Sequence, residues 1–338
     1  MRITTKLSCV FAVLCVICSA PIAFAQFPQD LRGTLIVLNK NGHDANFIDL
    51  RTGEILETLP TGRGPHELVV TDDGRWAIGT DYSGGDSLTV FDVGELVVAR
   101  TIDLRDYPRP HGILFLPDQQ QVIVTSEASQ QLVIVNFHEG EIVRAIDTGQ
   151  SGSHMVALSE DGATAYTSNG SANSISVIDV ITGQLIKTLD VPHRPEAIAT
   201  NKRGDEVWVG SNSEEVVSVI SAANGEITKQ WSGFSWPYRI LLTDDEKYAV
   251  MPDLGNEQLR FFDVISGTEI GNIDLVGAQP QGVILYPDDR TLFVSLSGQN
   301  KVLVVDILTQ EILGEYATGA APDGIGYSPL VLKKTISY

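Results

Sequence analysis

A turn built on proline, or on serine in one copy, recurs along the chain at Gly64-Pro65-His66, Arg109-Pro110-His111, Gly152-Ser153-His154, Arg194-Pro195-Glu196, Trp236-Pro237-Tyr238, Gln279-Pro280-Gln281 and Ala321-Pro322-Asp323. Successive copies are 42 to 45 residues apart. A second marker, the polar residue ending a branched run, falls at Asp49, Asp92, Asn136, Asp179, Ser221, Asp263 and Asp306, with steps of 42 to 44. Two independent markers with one period define a repeat protein. Inside each unit apolar and polar residues alternate, as in Ser174-Ile175-Ser176-Val177-Ile178-Asp179, and turn clusters such as Thr71-Asp72-Asp73-Gly74 punctuate the runs. That grammar predicts four short strands per unit and no helical stripe. Four antiparallel strands in a period of this length form the blade of a β-propeller.

The ends set the number of blades. Three strands, near residues 35–38, 46–49 and 55–58, precede the first proline turn, and one, at Gly324 to Tyr327, follows the last. Pairing them completes an all-β, seven-bladed propeller closed by three N-terminal strands and one C-terminal strand, a closure that removes two exposed sheet edges. The expected division is a secretion signal over 1–25, the propeller over 26–329 and a C-terminal tail over 330–338. The run Ala165-Tyr166-Thr167-Ser168-Asn169, followed by Ser174 to Asp179, Thr182-Gly183 and Pro195-Glu196-Ala197-Ile198-Ala199, resembles the YVTN repeat. The resemblance extends over essentially all of the chain after the signal, with looser copies at Val216 to Ser221 and Gln258 to Asp263. It implies a seven-bladed exported propeller, as in YncE-like and surface-layer proteins, and carries no single catalytic set. The repeating W-D and G-H marks of the WD40 type are missing.

Arg2 and Lys6, the apolar run Leu7 to Ile17, and Ala23-Phe24-Ala25 before Gln26 have the layout of a cleaved secretion signal, so a periplasmic or secreted location is expected. All three cysteines, Cys9, Cys15 and Cys18, lie inside it, which leaves the remainder without a disulfide or a cysteine nucleophile. The haem-attachment motif C-x-x-C-H is absent, excluding covalently bound c-type haem. A net charge of −20, spread along the chain, repels phosphate backbones, so non-specific nucleic-acid binding is not expected. Beyond the signal no apolar run reaches membrane-spanning length.

Strand alternation sends all the proline turns to one face of the ring. His43, His66, His111, His154 and His193 belong to that face and His138 to the other. His66, His111 and His154 share one register in three consecutive blades and should converge at the channel mouth. They are candidate ligands of a divalent metal ion, or groups that hold a small molecule, and duplication of a Pro-His turn would also align them. Glu67, Glu196 and Asp323 add carboxylates, and Tyr238 and Arg239 occupy the same register. Trp231, Phe234 and Trp236 form with them either a stacking surface or a plug between blades. The loop Asp81-Tyr82-Ser83-Gly84-Gly85-Asp86 would bring two carboxylates beside His66. No G-x-S-x-G, phosphate loop or H-E-x-x-H is present. The leading expectation is a binding module whose histidine-lined mouth takes a small molecule, a peptide or a partner protein. The alternatives are a metal-assisted lyase, hydrolase or lactonase on the same face, and a structural or surface-layer module.

Overall fold

The computed structural model describes residues 30–333. The expected secretion signal and residues 334–338 lie outside the described residues. Among the described residues, 28 strands form seven four-stranded antiparallel sheets, and no helix is long and apolar enough to cross a membrane. Blade 1 combines residues 34–60 with the C-terminal strand Pro322–Ser328, whose register on the first strand runs Thr34↔Ser328, Leu35↔Tyr327, Ile36↔Gly326. Blades 2 to 7 occupy residues 65–103, 110–147, 153–190, 195–231, 241–274 and 280–317 in order. The expected three-plus-one closure is therefore the observed one. Of the expected tail, Leu330 and Leu332 pack on a cluster containing Ile36, Phe47 and Phe91, and the Thr34 hydroxyl donates to the Leu330 carbonyl at 2.8 Å.

The cores lie between blades. Strands such as Gln131–Asn136 are buried on both faces, and Ile78 and Val90 of blade 2 meet Val124 and Val133 of blade 3 in one cluster. A sheet covered on both faces needs continuous branched runs rather than strict alternation, which is what these strands carry. The outer strands expose Val97, Val143, Ile186 and Ile312.

Both sequence markers are local backbone chemistry. Asp49, Asp179, Asp263 and Asp306 each accept backbone N–H groups two or three residues ahead, at 2.7 to 3.1 Å, closing the turn between the third and fourth strands. At the proline turns the preceding residue takes a left-handed conformation, with φ of 58° at Gly64, 59° at Arg109, 59° at Arg194 and 57° at Ala321. The inner strand then bulges. Between Pro65 and Leu68 two residues face one on the neighbouring strand, and the shift recurs after Pro110, Ser153, Pro195, Pro280 and Pro322. In blade 6 the inner ladder shrinks to Leu241–Leu242 plus a bridge from Pro237 to Asp253. Bulges re-aim side chains, so the two residues after each turn leave the ladder.

Hydroxyls opposite the bulges join one blade to the next. Thr125 accepts from the Gly112 N–H at 2.9 Å and donates to the His154 carbonyl of blade 4 at 2.6 Å. Ser168 accepts from the Met155 N–H at 3.2 Å and donates to the Glu196 carbonyl of blade 5 at 2.6 Å. Neighbouring inner strands come so close that a Cβ at Gly112 would meet the Val156 nitrogen at 2.7 Å.

Candidate functional site

The first bulge residue of each blade builds one ring: His66, His111, His154, Glu196, Tyr238, Gln281 and Asp323. The expected histidines, Glu196, Tyr238 and Asp323 belong to this ring, Glu67 and Arg239 to the position after it, and Gln281 completes the ring. The mouth holds a cavity of about 630 Å³ whose lining includes His66, His111, His154, Glu196, Tyr238 and Gln281.

Three imidazoles do converge. The ring centroids of His111 and His154 are 3.7 Å apart, and those of His66 and His111 5.3 Å. Tyr82 is the hub, its ring edge-on to His66 at 4.7 Å and to His111 at 4.6 Å. Its hydroxyl donates to Glu127 Oε2 at 2.5 Å, and the Arg109 guanidinium lies 4.4 Å over its ring while reaching both its hydroxyl and Glu127. Burial would raise the Glu127 carboxyl, but His154 and Arg109 outweigh it and hold it below the usual carboxylate range. Burial, with repulsion from His154 and His66, holds His111 far below the ordinary imidazole value, so it is neutral at pH 7. His66 is lowered by burial, partly offset by Asp323, and its Nδ1 is 2.8 Å from the Gly64 carbonyl.

His154 stands between two carboxylates, with Nδ1 3.7 Å from Glu127 and Nε2 3.9 Å from Glu196. Glu196 is fixed through one oxygen: Oε2 accepts from the Asn212 amide at 2.6 Å and from the Trp236 indole at 3.2 Å. Trp236 is 37 % exposed.

The floor is a polar bridge across the channel. Arg239 of blade 6 pairs with Glu67 of blade 2, and burial lowers Arg239 to about 10, still charged at neutral pH. The Tyr238 hydroxyl donates to Asp323 at 3.0 Å, and Lys40 reaches Asp323 at 3.2 Å and Gln281 at 2.6 Å. Burial pushes Asp323 up, but Lys40, His66 and Arg239 together hold it below the usual carboxylate range.

The other candidate side chains have partners of their own. Beneath the cavity Glu67 and Arg239 are paired with each other, and Asp323 is held by Tyr238 and Lys40. Among the described residues no group of three or more His, Cys, Asp or Glu side chains is arranged to hold a metal ion, and the rings of His66, His111 and His154 adjoin one another. The aromatic cluster is mostly a plug: Trp231 stacks on Trp208 at 5.3 Å, Phe234 is 2 % exposed, and Trp236 and Tyr238 are its members that line the cavity. In the Asp81 to Asp86 loop the carboxylates are structural. Asp81 is buried and accepts from Ser87 and Thr89, and Asp86 accepts from the Arg109 N–H. Tyr82, between them, is the residue that reaches the mouth. Lys40 and Glu127 lie outside the motifs read in the sequence, whereas Tyr82 belongs to the loop noted for its carboxylates and Arg109 to a proline turn.

Fold and mouth place the chain among seven-bladed propellers. The model of the family described as lactonase, 7-bladed beta-propeller matches residues 64–239, just over half of the chain, and the chain belongs to that family. No curated protein matches it. Similar solved structures include hydrazine synthase of Kuenenia stuttgartiensis, 18 % identical with a TM-score of 0.70 over 80 % of this chain and 91 % of that one. A protein of Desulfotomaculum acetoxidans DSM 771, described as functionally unknown, is 16 % identical with a TM-score of 0.74 over 88 % and 99 %. At these identities the likeness concerns the fold alone.

Proposed function

We propose that this member of the family is an exported YVTN-type propeller that binds a small hydroxylated organic molecule in the mouth cavity. The observation that carries the reading is the fixing of Glu196 by Asn212 and Trp236 beside His154. One carboxylate oxygen is held by two donors and the other is free to accept from a ligand hydroxyl. Beside it the exposed face of Trp236 offers an apolar platform of the kind that packs on a sugar ring. The cavity volume lies within the range of small-molecule sites.

Hydrolysis of a lactone is the second reading, favoured by His154 between two oriented carboxylates and by the family's description. An imidazole so placed can take a proton from an attacking water. The test is a thermal-shift panel of sugar lactones and their open-chain acids, run alongside a pH-stat that reports any acid released. A ligand at roughly a hundredfold excess over its Kd should raise Tm by about 5 °C, and Trp236→Ala should abolish the shift. If no compound shifts a folded wild-type chain, the binding reading fails and a structural module replaces it. Acid release that His154→Gln abolishes would establish the hydrolytic reading.

A further inference from the structure

The carboxylates of the mouth and its floor are matched to cations with one exception. Glu127 pairs with Arg109, Glu67 with Arg239 and Asp323 with Lys40. Glu196, whose side chain is only 13 % exposed, pairs with no lysine or arginine among the described residues; what approaches its Oε1 is Nε2 of His154, at 3.9 Å and so beyond hydrogen-bonding distance. Both donors on its other oxygen, the Asn212 amide and the Trp236 indole, are neutral. Arg194, two residues earlier in the same turn, lines the cavity but is exposed and forms no ion pair among the described residues. The aromatic faces follow the same pattern. Arg109 lies 4.4 Å over the Tyr82 ring and Arg239 4.3 Å over the Tyr238 ring. Among the described residues no cation stands over Trp236, the remaining tyrosine or tryptophan of the cavity lining. The unmatched carboxylate and the uncovered ring are in contact, since the indole donates to Glu196 Oε2.

We infer that the molecule bound in the mouth carries an ammonium group, as an amino sugar or an amino polyol does, and that this group sits between Glu196 Oε1 and the exposed face of Trp236. The inference rests on the binding reading above and sharpens it: the donor that Oε1 takes is a cation rather than a neutral hydroxyl. A carboxylate withdrawn from water needs a countercharge as well as hydrogen bonds. An ammonium supplies both, because it donates N–H to the oxygen while its charge meets the negative face of the indole. Tyr82 with Arg109, and Tyr238 with Arg239, show the same union of cation, ring and carboxylate made within the chain. At Glu196 and Trp236 the cation comes from the ligand. The net charge of −20 favours its approach.

Pairs of compounds that differ by one group test it: sorbitol and glucamine, glycerol and serinol, glucose and glucosamine, each titrated into the protein by calorimetry at pH 7 in a buffer free of amines. In every pair that binds, the amine should bind at least about tenfold more tightly than its hydroxyl twin, and added salt should narrow the gap. Glu196→Gln keeps the shape and an acceptor for Asn212 and Trp236, so it should leave the hydroxyl compound bound and remove the preference. Glu214→Gln, which alters an exposed carboxylate beside His193 and outside the cavity lining, should leave the preference intact. The inference is overturned if a hydroxyl compound binds as tightly as its amine, if the preference survives Glu196→Gln, or if Glu214→Gln removes it as well. If no compound of either kind binds to the folded protein, the binding reading itself falls and this inference falls with it.

Discussion

Asp81 occupies the register that Asn39 and Asn169 fill in blades 1 and 4. In blade 4 the Asn169 amide donates to Ser174 and Ser176 at 3.2 and 2.9 Å, and its oxygen accepts from Ser153 at 2.9 Å. In blade 2 the direction reverses: Ser87 and Thr89 donate to Asp81 Oδ2 at 2.6 and 2.9 Å. Its Oδ1 is buried with no hydrogen-bond partner among the described residues. Burial pushes this carboxyl up to about 6, and the two hydroxyls offset only part of the shift. Because the folded-state value lies above the unfolded one, the folded chain binds the proton more tightly. The associated stabilisation is complete below the unfolded value of 3.8 and disappears as pH rises through about 6. At neutral pH Asp81 is thus a buried, half-satisfied charge, and two pK units correspond to roughly 3 kcal/mol. Asp81→Asn reproduces the blade 4 arrangement, with the amide donating to the same two hydroxyl positions. The variant should melt several degrees above wild type at pH 7.5, and the gap should close toward pH 4. Carboxylates held low, such as Asp323 and Glu127, have the opposite slope in both proteins and cancel in the difference. A variant that melts below wild type at pH 7.5 would contradict this account.

Blades 3, 4 and 7 are each tied to the one after them through the hydroxyl that faces the bulge. Thr125 is fully buried and serves the Gly112 N–H and the His154 carbonyl at once. Thr125→Val keeps the shape, removes both bonds and leaves two buried backbone groups short of a partner, at a cost of about 1–3 kcal/mol. We expect a lower Tm and, because the lost bond holds the His154 backbone, a weaker ligand-induced shift. Thermal melts with and without a compound bound at the mouth measure both, and an unchanged Tm would remove the clamp from the stability of the ring. The same elements show what a sequence can carry. The markers were legible because they are local: an Asp that closes its own turn, and a proline that follows a left-handed residue, need no distant partner. The ring of bulge residues follows from them, so its register is legible in the sequence. Tyr82 was passed over for the carboxylates on either side of it, since its loop looked like turn chemistry and its partners Glu127 and Arg109 lie in another blade. Likewise nothing local to Glu67 indicates that its partner is Arg239, 172 positions away. The approach of one blade's bulge to another's across the channel is a property of the closed ring.

Ring closure rests on one strand. Pro322–Ser328 pairs with Thr34–Asn39 inside blade 1, accepts a hydrogen bond at the Asp323 carbonyl from Ser295 of blade 7 at 2.6 Å, and donates from Ser328 to the Gly74 carbonyl of blade 2 at 2.7 Å. It also carries Asp323, the acceptor for Lys40 and Tyr238 in the floor of the mouth. Residues so far apart in sequence meet only after the six intervening blades are in place, so this pairing bears the largest loop-closure cost in the molecule. A chain ending at Ala321 leaves the wholly buried strand Thr34–Asn39 with an open edge, a template for association with other chains. We expect that truncation to elute as oligomers, to lose near-UV circular dichroism and to melt without a sharp transition. A synthetic peptide spanning residues 322–333 supplied in trans should restore the monomer and the near-UV signal by adding the missing strand to the exposed edge. The same peptide with Gly324 replaced by Ala should fail, because a Cβ there collides with the His66 carbonyl. A truncated chain that stays monomeric with wild-type circular dichroism would mean that the packing between blades holds the ring shut without a strand shared by its ends.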